Sequence, residues 1–515
     1  MRRASWIWLA VVIGAGVAAG CADSTPANRS TLDAAAGAGG DGSSAAGAPG
    51  TGGDAAGTGS GAAGTGGGAA GTGGGATGTG GGAAGTGGGG DLDAGSGGSG
   101  RDGGADAAGT GAAGKGAADA GAAGAAGTGG SGGAAGAPVL APPAPTGLVA
   151  LNSDFYSGTS ISILNPAGGL AHGDCLDSSS GGSSLLISTD AVLPSQPQRG
   201  GEVVIVDRGN GALTFVNPSA CTVARRIALP GGTSADPHDV VILSDTKAYL
   251  TRYQSVSTAT TAAAKGNDVA IVNPTTGAFV SSINLDAYAS TVAGATILVR
   301  PDRALIANGK VVVSLNEIDA SYVSYGEGKV VLIDPATDTV VASVALTGLY
   351  DCEGMSYVAA TKTLLVACGG PYRVEDQPVL SGIAVVDLGT SPPSLTRAIT
   401  SVAFGDQPVN FSWVLAAPTA AGGTRAFAGT NDPLDVLPDA LYVFDYVLGT
   451  TTQIATSSPF TIGAPAATSS LLFVPEATSS TPKIQLFGIT GTPQVTTGFA
   501  SDPTNGLPPQ EIAWY

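Results

Sequence analysis

The sequence predicts an all-β fold built from one repeated unit. Seven segments share a pattern of four mostly apolar residues followed by Asn or Asp, and the first four continue into Pro. They lie 43 to 61 residues apart, they are rich in the β-branched and aromatic residues that favour strands, and they end in residues that initiate turns. The segments are Ile161–Asn165, Leu213–Asn217, Val269–Asn273, Val330–Asp334, Ile383–Asp387, Leu441–Asp445 and Ile484–Gly488, of which the last has lost the Asp.

Further strands are predicted on both sides of these segments. A strand follows at Thr222–Leu229, Phe279–Leu285 and Thr339–Leu346, and two strands precede at Asp239–Leu243 with Ala248–Arg252 and at Glu353–Val358 with Leu364–Cys368. Four short strands per repeat are typical of a β-propeller, in which sheets packed around an axis bury faces that one sheet cannot cover alone. We therefore predict a seven-bladed β-propeller; six or eight blades fit the count less well.

The repeats resemble the YVTN-type family of propellers. Leu213–Leu229 (LTFVNPSACTVARRIAL) and Val330–Leu346 (VVLIDPATDTVVASVAL) carry the similarity most clearly, and it extends over most of residues 147–515. The resemblance implies the fold and says little about activity, because propellers host many functions.

Both ends of this region are expected to build the last blade. Glu511–Tyr515 aligns with an innermost strand, whereas Leu148–Asn152 and Ser160–Leu164 align with the second and third strands of a repeat. A sheet assembled from both ends would close the ring.

The N-terminus has the three-part layout of a secretory signal. Arg2 and Arg3 precede an apolar run, Trp6–Val17, that is too short for a membrane span of about 20 residues. The following Ala-Ala-Gly-Cys, ending at Cys21, resembles the bacterial lipobox, and this resemblance implies cleavage before Cys21 and acylation of its thiol. We predict a lipoprotein signal peptide over residues 1–20 and a lipid-anchored, exported protein of the bacterial cell envelope, with the outer membrane or cell surface favoured. An ordinary signal peptide with a chance cysteine remains the alternative.

Residues 21–137 are predicted to form a disordered, low-complexity tether. Between Ala34 and Ala137 there is no Val, Ile, Phe, Tyr or Trp, so the segment cannot offset its ordering entropy by burial. A flexible coil of ~100 residues spans roughly 50–60 Å. The tether would hold the propeller, residues 138–515, clear of the membrane.

Four cysteines remain if Cys21 carries lipid. Cys352 and Cys368 lie at equal offsets from a hairpin turn near Ala360, which places them opposite each other at a separation close to that of a disulfide. Elimination then pairs Cys175 with Cys221. Four reduced thiols or a different pairing remain possible, and the absence of a C-x-x-C sequence argues against zinc.

Candidate site residues lie where predicted innermost strands begin, because side chains at those positions can face the central channel. They are His238, Asp239, Glu353, Asn410 and Glu511. We favour the interpretation that these groups cap loops or solvate the channel. The alternative is that they form a polar ring at the channel mouth that binds a cation or a small polar ligand.

Two classes of function fit the sequence. The first is a binding or structural module that contacts the membrane through its lipid and takes a protein, glycan or small polar ligand as partner. The second, implied by relatives of the YVTN-type propellers, is an enzyme of lactonase or quinoprotein-dehydrogenase type, which would need clustered His, Arg and carboxylates or a metal. The chain has only two histidines, His172 and His238, so no catalytic residue, metal or cofactor is predicted. Its net charge of −18 argues against nucleic acid as a partner.

Overall fold

The computed structural model describes residues 140–178, 187–372, 377–431, 437–457, 462–477, 481–489 and 495–515. The predicted signal peptide, Cys21 and the tether lie outside the described residues. Within those ranges, no helix has the length and apolar character needed to cross a membrane.

Strands dominate the described part of the chain. The first eleven are β1 (Leu148–Ser153), β2 (Thr159–Leu164), β3 (Leu170–Asp177), β4 (Ala191–Val192), β5 (Val203–Asp207), β6 (Ala212–Asn217), β7 (Thr222–Ala228), β8 (Pro237–Ser244), β9 (Lys247–Ser255), β10 (Gly266–Val272) and β11 (Phe279–Asn284). The next eleven are β12 (Thr291–Val292), β13 (Ala295–Leu298), β14 (Pro301–Ala307), β15 (Lys310–Leu315), β16 (Ile318–Asp319), β17 (Glu327–Asp334), β18 (Thr339–Tyr350), β19 (Cys352–Val358), β20 (Thr363–Cys368), β21 (Gly382–Asp387) and β22 (Ser394–Thr400). The last nine are β23 (Val409–Pro418), β24 (Thr424–Thr430), β25 (Ala440–Asp445), β26 (Thr450–Thr456), β27 (Ala466–Ala467), β28 (Leu471–Glu476), β29 (Lys483–Gly488), β30 (Val495–Phe499) and β31 (Pro509–Trp514).

Helical segments are short. Among the described residues, one α-helix, α1, covers Ala262–Lys265, and 3₁₀ turns cover Arg208–Asn210, Gly232–Ala235, Asp286–Tyr288, Pro378–Leu380 and Ser401–Phe404.

These strands form four-stranded antiparallel sheets, seven of them within the described ranges, which we number 1–7 in chain order. From the innermost strand outward they are β31-β1-β2-β3, β4-β5-β6-β7, β8-β9-β10-β11, β14-β15-β17-β18, β19-β20-β21-β22, β23-β24-β25-β26 and β27-β28-β29-β30. Each repeated segment singled out in the sequence falls on the third strand of one sheet. The sequence did not predict a small sheet of β12, β13 and β16. β12 and β13 lie between sheets 3 and 4 along the chain, and β16 lies in the connection between β15 and β17 of sheet 4.

Sheet 1 is assembled from both ends of the region, as the alignment of repeats predicted. β31 pairs antiparallel with β1, with Leu148 opposite Trp514 and Val149 opposite Ala513. β2 and β3 complete the sheet on its outer side.

Apolar clusters join each sheet to the next. The third strands are buried on both faces and therefore read as near-continuous apolar runs, whereas an outermost strand such as β7 alternates between exposed and more buried side chains. One cluster packs Leu148 and Ala150 of sheet 1 against Phe473 and Ile484 of sheet 7, and six others join the successive pairs from sheets 1 and 2 to sheets 6 and 7. Sheets that pack face to face in this circular order form a β-propeller.

Both predicted disulfides are present. Cys175 on β3 is bonded to Cys221 in the turn between β6 and β7, so this bridge links sheets 1 and 2 with a Cα–Cα distance of 4.8 Å. Cys352 and Cys368 lie opposite each other on β19 and β20 of sheet 5, with a Cα–Cα distance of 4.0 Å.

Candidate functional site: a buried polar cluster on the axis

Side chains from neighbouring sheets bind the free edges of the innermost strands. The Asp239 carboxylate on β8 accepts hydrogen bonds from the Ser195 amide at 3.3 Å and the Ala304 amide at 2.9 Å. Glu511 on β31 accepts one from the Leu193 amide at 2.9 Å. An unpaired buried amide is costly, so these carboxylates stabilise the convergence of the innermost strands. The candidate residues Asp239 and Glu511 therefore have a structural role as edge caps.

His238 lies at the start of β8 in a buried charged group. Its Nδ1 is 2.8 Å from Asp302 Oδ2, its Nε2 is 3.2 Å from Asp236 Oδ2, and its ring stacks on Tyr253 with centroids 4.3 Å apart. Burial favours the neutral ring, but Asp302 and Asp236 outweigh it and raise the pKa of His238 to about 10. His238 is therefore an imidazolium at neutral pH and donates from both ring nitrogens.

Arg208 adds a second cation to this group. Its Nη1 lies 3.1 Å from His238 Nε2, and its Nε donates to Asp190 at 2.8 Å. Since the imidazolium has no free acceptor, the contact between Arg208 and His238 is one between like charges. Asp236 is attracted by both: burial alone would raise its pKa, but His238 and then Arg208 lower it.

Asp351 and Glu353 form an acid pair at the start of β19. The Asn316 Nδ2 donates to Glu353 Oε1 at 2.8 Å and approaches Asp351 Oδ1 at 3.3 Å. Burial, followed by the nearby Asp302 charge, raises the pKa of Asp351 to about 7. Burial, Asp302 and Asp351 together raise the pKa of Glu353 well above its usual range. The pair therefore retains protons near neutral pH.

Three acceptor atoms of this acid pair and its partner are unused. No described residue donates a hydrogen bond to Asp351 Oδ2 or Glu353 Oε2. Asn316 Oδ1 is buried and likewise has no partner in the described ranges. Once the pair is ionised, all three atoms can accept hydrogen bonds from a ligand; while a carboxyl keeps its proton, its free oxygen carries an O–H that donates instead.

Arg300 attaches the small inserted sheet beside the cluster. Only 1% of the residue is exposed, and its guanidinium donates to the Ile318 carbonyl at 3.1 Å and the Asp319 carbonyl at 3.0 Å. It also lies over the rings of Tyr253 and Tyr322, at 4.9 and 4.1 Å from their centroids. These contacts hold the insertion next to the His238 group.

The structure brings together some of the predicted site residues and separates others. His238 and Glu353 belong to one cluster, connected through Tyr253 and Asn316, whose Nδ2 is 3.5 Å from the Tyr253 hydroxyl. Asn410 instead accepts hydrogen bonds from the amide and hydroxyl of Ser412 within β23, where the register against β24 shifts. The other histidine, at position 172, is exposed on an outermost strand.

Sequence reasoning missed Asp302, Arg303, Asn316 and Asp351. A signal was available for the first two, because β14 begins with Pro301-Asp302-Arg303 just as β8 begins with Pro237-His238-Asp239. Asn316 lies after β15 and nothing in its neighbourhood marks it. Within the described residues, no group of three or more His, Cys, Asp or Glu side chains is arranged to hold a metal ion.

Comparisons with known proteins return structural similarity alone. No protein-family model and no curated protein match the chain. The periplasmic gluconolactonase PpgL of Pseudomonas aeruginosa is 12% identical, with 72% of this chain and 98% of that chain covered and a TM-score of 0.46. The dihydro-heme d1 dehydrogenase NirN in complex with DHE is 12% identical, with 72% and 66% covered and a TM-score of 0.43. The hydrazine synthase of Kuenenia stuttgartiensis is 11% identical, with 58% and 76% covered and a TM-score of 0.39. The propeller assignment rests on the sheet order and on the clusters that join the sheets.

Proposed function

We propose that this chain is an exported, lipid-anchored propeller of seven blades that acts as a binding module at the cell envelope. The blade count is supported by the seven four-stranded sheets and the circular order of the apolar clusters. Export is supported by two disulfides, which persist in oxidising compartments. The lipid anchor is supported by the lipobox-like sequence ending at Cys21, and the long tether would carry the propeller away from the membrane.

The observation that carries the binding function is the acid pair with its unused acceptors. Asp351 Oδ2, Glu353 Oε2 and Asn316 Oδ1 offer acceptors without a donor from the described residues. A small ligand rich in donors, with hydroxyl or ammonium groups, would satisfy them. A cationic ligand would also replace the protons that the pair retains, so its affinity should increase as the pH rises through about 7, the pKa of Asp351.

Titration calorimetry tests this site with putrescine as a diamine probe and glucose as a polyol probe, between pH 5 and pH 9. We expect saturable binding of at least one probe and its loss in Glu353→Gln and Asp351→Asn. Glu202→Gln is the matched control, because Glu202 is a carboxylate that pairs with Arg225 on sheet 2. Absence of binding by both probes across the pH range, or equal loss in the control, would refute the site.

The lipid anchor has a separate test. The full-length precursor is expressed in a bacterium that processes lipoproteins, and the mature N-terminal peptide is weighed by mass spectrometry. We expect an acylated Cys21 and partition of the protein into the detergent phase, both lost in Cys21→Ser. An unmodified N-terminus, or cleavage elsewhere, would leave an exported propeller without the anchor.

A propeller enzyme of lactonase or quinoprotein-dehydrogenase type is the second candidate. The favouring observation is that Asp351, with a pKa of about 7, carries a proton at neutral pH that it could donate to a leaving group. Acid release from a panel of lactones would show turnover. Turnover that is abolished in Asp351→Asn while folding is unchanged would place the enzyme ahead of the binding module.

A further inference from the structure

A cavity lies next to the polar cluster, since its lining includes Arg303 and Gly354, the chain neighbours of Asp302 and Glu353. It has a volume of about 120 Å³ and is lined by segments of six sheets, among them Gln196, Arg303, Ser356, Trp413 and Glu511. We call it the axial cavity. For scale, an engineered protein cavity of roughly 150 Å³ binds benzene. Gln196 and Ser356 are only half-buried, so the cavity can be reached from solvent.

Two donors of the cavity lining lack acceptors. Gln196 Oε1 accepts a hydrogen bond from the Ile306 amide at 2.8 Å, which fixes the orientation of the side-chain amide. Its Nε2 is buried and has no acceptor among the described residues, and the same holds for Trp413 Nε1. A buried unpaired donor costs about 1–3 kcal/mol, so an acceptor placed in the cavity within reach of either donor would gain free energy.

Arg303 supplies positive charge with spare donors. Its Nη1 donates to the Leu193 carbonyl at 3.2 Å and lies 3.9 Å from Glu511 Oε1, and its Nε lies 3.5 Å from Asp302. A guanidinium has five N–H donors, and in the described ranges no residue accepts from Arg303 Nη2. Glu511 accepts a hydrogen bond from the Leu193 amide at 2.9 Å, whereas its oxygen lies 3.9 Å from Arg303 Nη1. The contact of Glu511 with Arg303 is therefore the weaker of the two, and a ligand carboxylate would compete with Glu511 for the guanidinium.

The remaining wall is mostly apolar. It includes Pro194, Pro197, Met355, Pro465, Ala466 and Ile512. An apolar wall with several convergent donors at one end is complementary to a small molecule with an apolar body and one acceptor group.

We propose that the axial cavity binds a small organic acid. Its carboxylate would accept from Arg303 and Gln196, in the bidentate manner that guanidinium groups favour, and its apolar body would lie against the prolines and Ile512. The proposal goes beyond the proposed function, because the acid pair at Asp351 and Glu353 offers acceptors to a ligand and the axial cavity offers donors.

The test uses benzoate as the acid probe and benzyl alcohol as the neutral probe with the same ring, in titrations of the full chain at pH 7.5. Gln196→Glu keeps an oxygen for the Ile306 amide and replaces the free donor by an acceptor, so we expect benzoate affinity to fall at least about tenfold, or ~1.4 kcal/mol. Gln407→Glu is the matched control: Gln407 Oε1 accepts a hydrogen bond from the Thr430 hydroxyl at 2.7 Å, and the residue does not line the axial cavity. Its benzoate affinity should equal that of the unsubstituted chain.

The other outcomes are equally decisive. Trp413→Phe removes the Nε1 donor together with part of a buried ring system. It should weaken benzoate binding by a smaller factor, and it provides a second variant if Gln196→Glu does not fold. Glu353→Gln should bind benzoate normally, which separates this site from the acid pair. Benzyl alcohol binding as tightly as benzoate, an unchanged affinity in Gln196→Glu, or no saturable binding at all because the cavity holds only water would each overturn the proposal.

Discussion

Asp351→Asn should make the protein more stable at alkaline pH and leave its stability in acid nearly unchanged. Asp351 is 6% exposed, at the start of the innermost strand of sheet 5. The charge of Asp302 opposes its ionisation, while Arg300 and the Asn316 amide favour it; burial and Asp302 win, so the pKa is about 7. Asparagine has nearly the same shape, keeps an oxygen for Asn316 and carries no charge.

The magnitude follows from the linkage between proton binding and folding. Asp351 titrates near 3.8 when exposed and near 7 in the folded protein, so its folded pKa is raised. Its contribution to stability is therefore fully present below about pH 4 and is lost as the pH rises to about 7. At about 1.4 kcal/mol per pKa unit the loss approaches 4 kcal/mol, and Asp351→Asn avoids it.

Urea unfolding at pH 4 and pH 8 measures this effect. The free energy of unfolding of Asp351→Asn should exceed that of the unsubstituted chain by up to about 4 kcal/mol at pH 8 and by little at pH 4. Titrating groups that Asp351 does not perturb, such as Asp239, are common to both proteins and cancel in the difference. Glu353, whose pKa Asp351 raises, changes the difference in the same direction. Asp245→Asn, in an exposed loop, is the control and should show no pH-dependent difference. A difference that is equal at the two pH values would show that folding does not raise the pKa of Asp351, and the account of the acid pair would fail.

Three further predictions concern the fold. Deletion of residues 511–515 removes most of β31 and the buried Ile512. The free energy of unfolding of the whole domain should fall by at least about 4 kcal/mol, and its melting temperature should fall with it. An unchanged melting temperature would contradict closure through sheet 1. Replacing both cysteines of a disulfide by Ala should lower the free energy of unfolding, measured in urea. The loss should be about 4 kcal/mol for Cys175–Cys221, with a sequence separation of 46, and about 3 kcal/mol for Cys352–Cys368, with a separation of 16. The reverse order would argue against loop entropy as the source of the stabilisation. Gly354→Ala should cost about 1–3 kcal/mol in the same assay, since a Cβ there would lie 2.4 Å from the Trp413 Cα; a neutral result would mean that β19 and β23 are further apart than described.

The repeated unit could be predicted from the sequence because its signal is local. In six of the seven sheets the third strand is mostly buried on both faces and ends in a turn, which leaves an apolar run followed by Asn or Asp in the sequence. β29 of sheet 7 is the exception, because it is only partly buried and ends in Gly. The closure of sheet 1 followed from counting strands at the two ends. The inserted sheet of β12, β13 and β16 was missed because its strands have two to four residues and no repeat partner.

The site was predicted less completely because its contacts join distant parts of the chain. Local sequence placed His238 and Glu353 at the axis, since both lie where an innermost strand begins. It could not show that Asp302, 64 residues further along, approaches His238 Nδ1 at 2.8 Å, or that Asn316 connects Asp351 with Glu353. Those contacts depend on how neighbouring sheets are rotated about the axis, which no single repeat specifies.

The free edges of the innermost strands explain why polar residues on the axis are weak signs of function by themselves. Each such strand needs acceptors for its edge amides, and the sequence supplies Asp239, Glu511 and Gln196 for this purpose. A polar ring would therefore arise in any propeller closed in this way, with or without a ligand. The atoms that the ring leaves unused are more informative, because folding gains nothing from burying them. They are acceptors at the start of β19 and donors around the axial cavity, so any ligands at the two places must have opposite hydrogen-bonding chemistry.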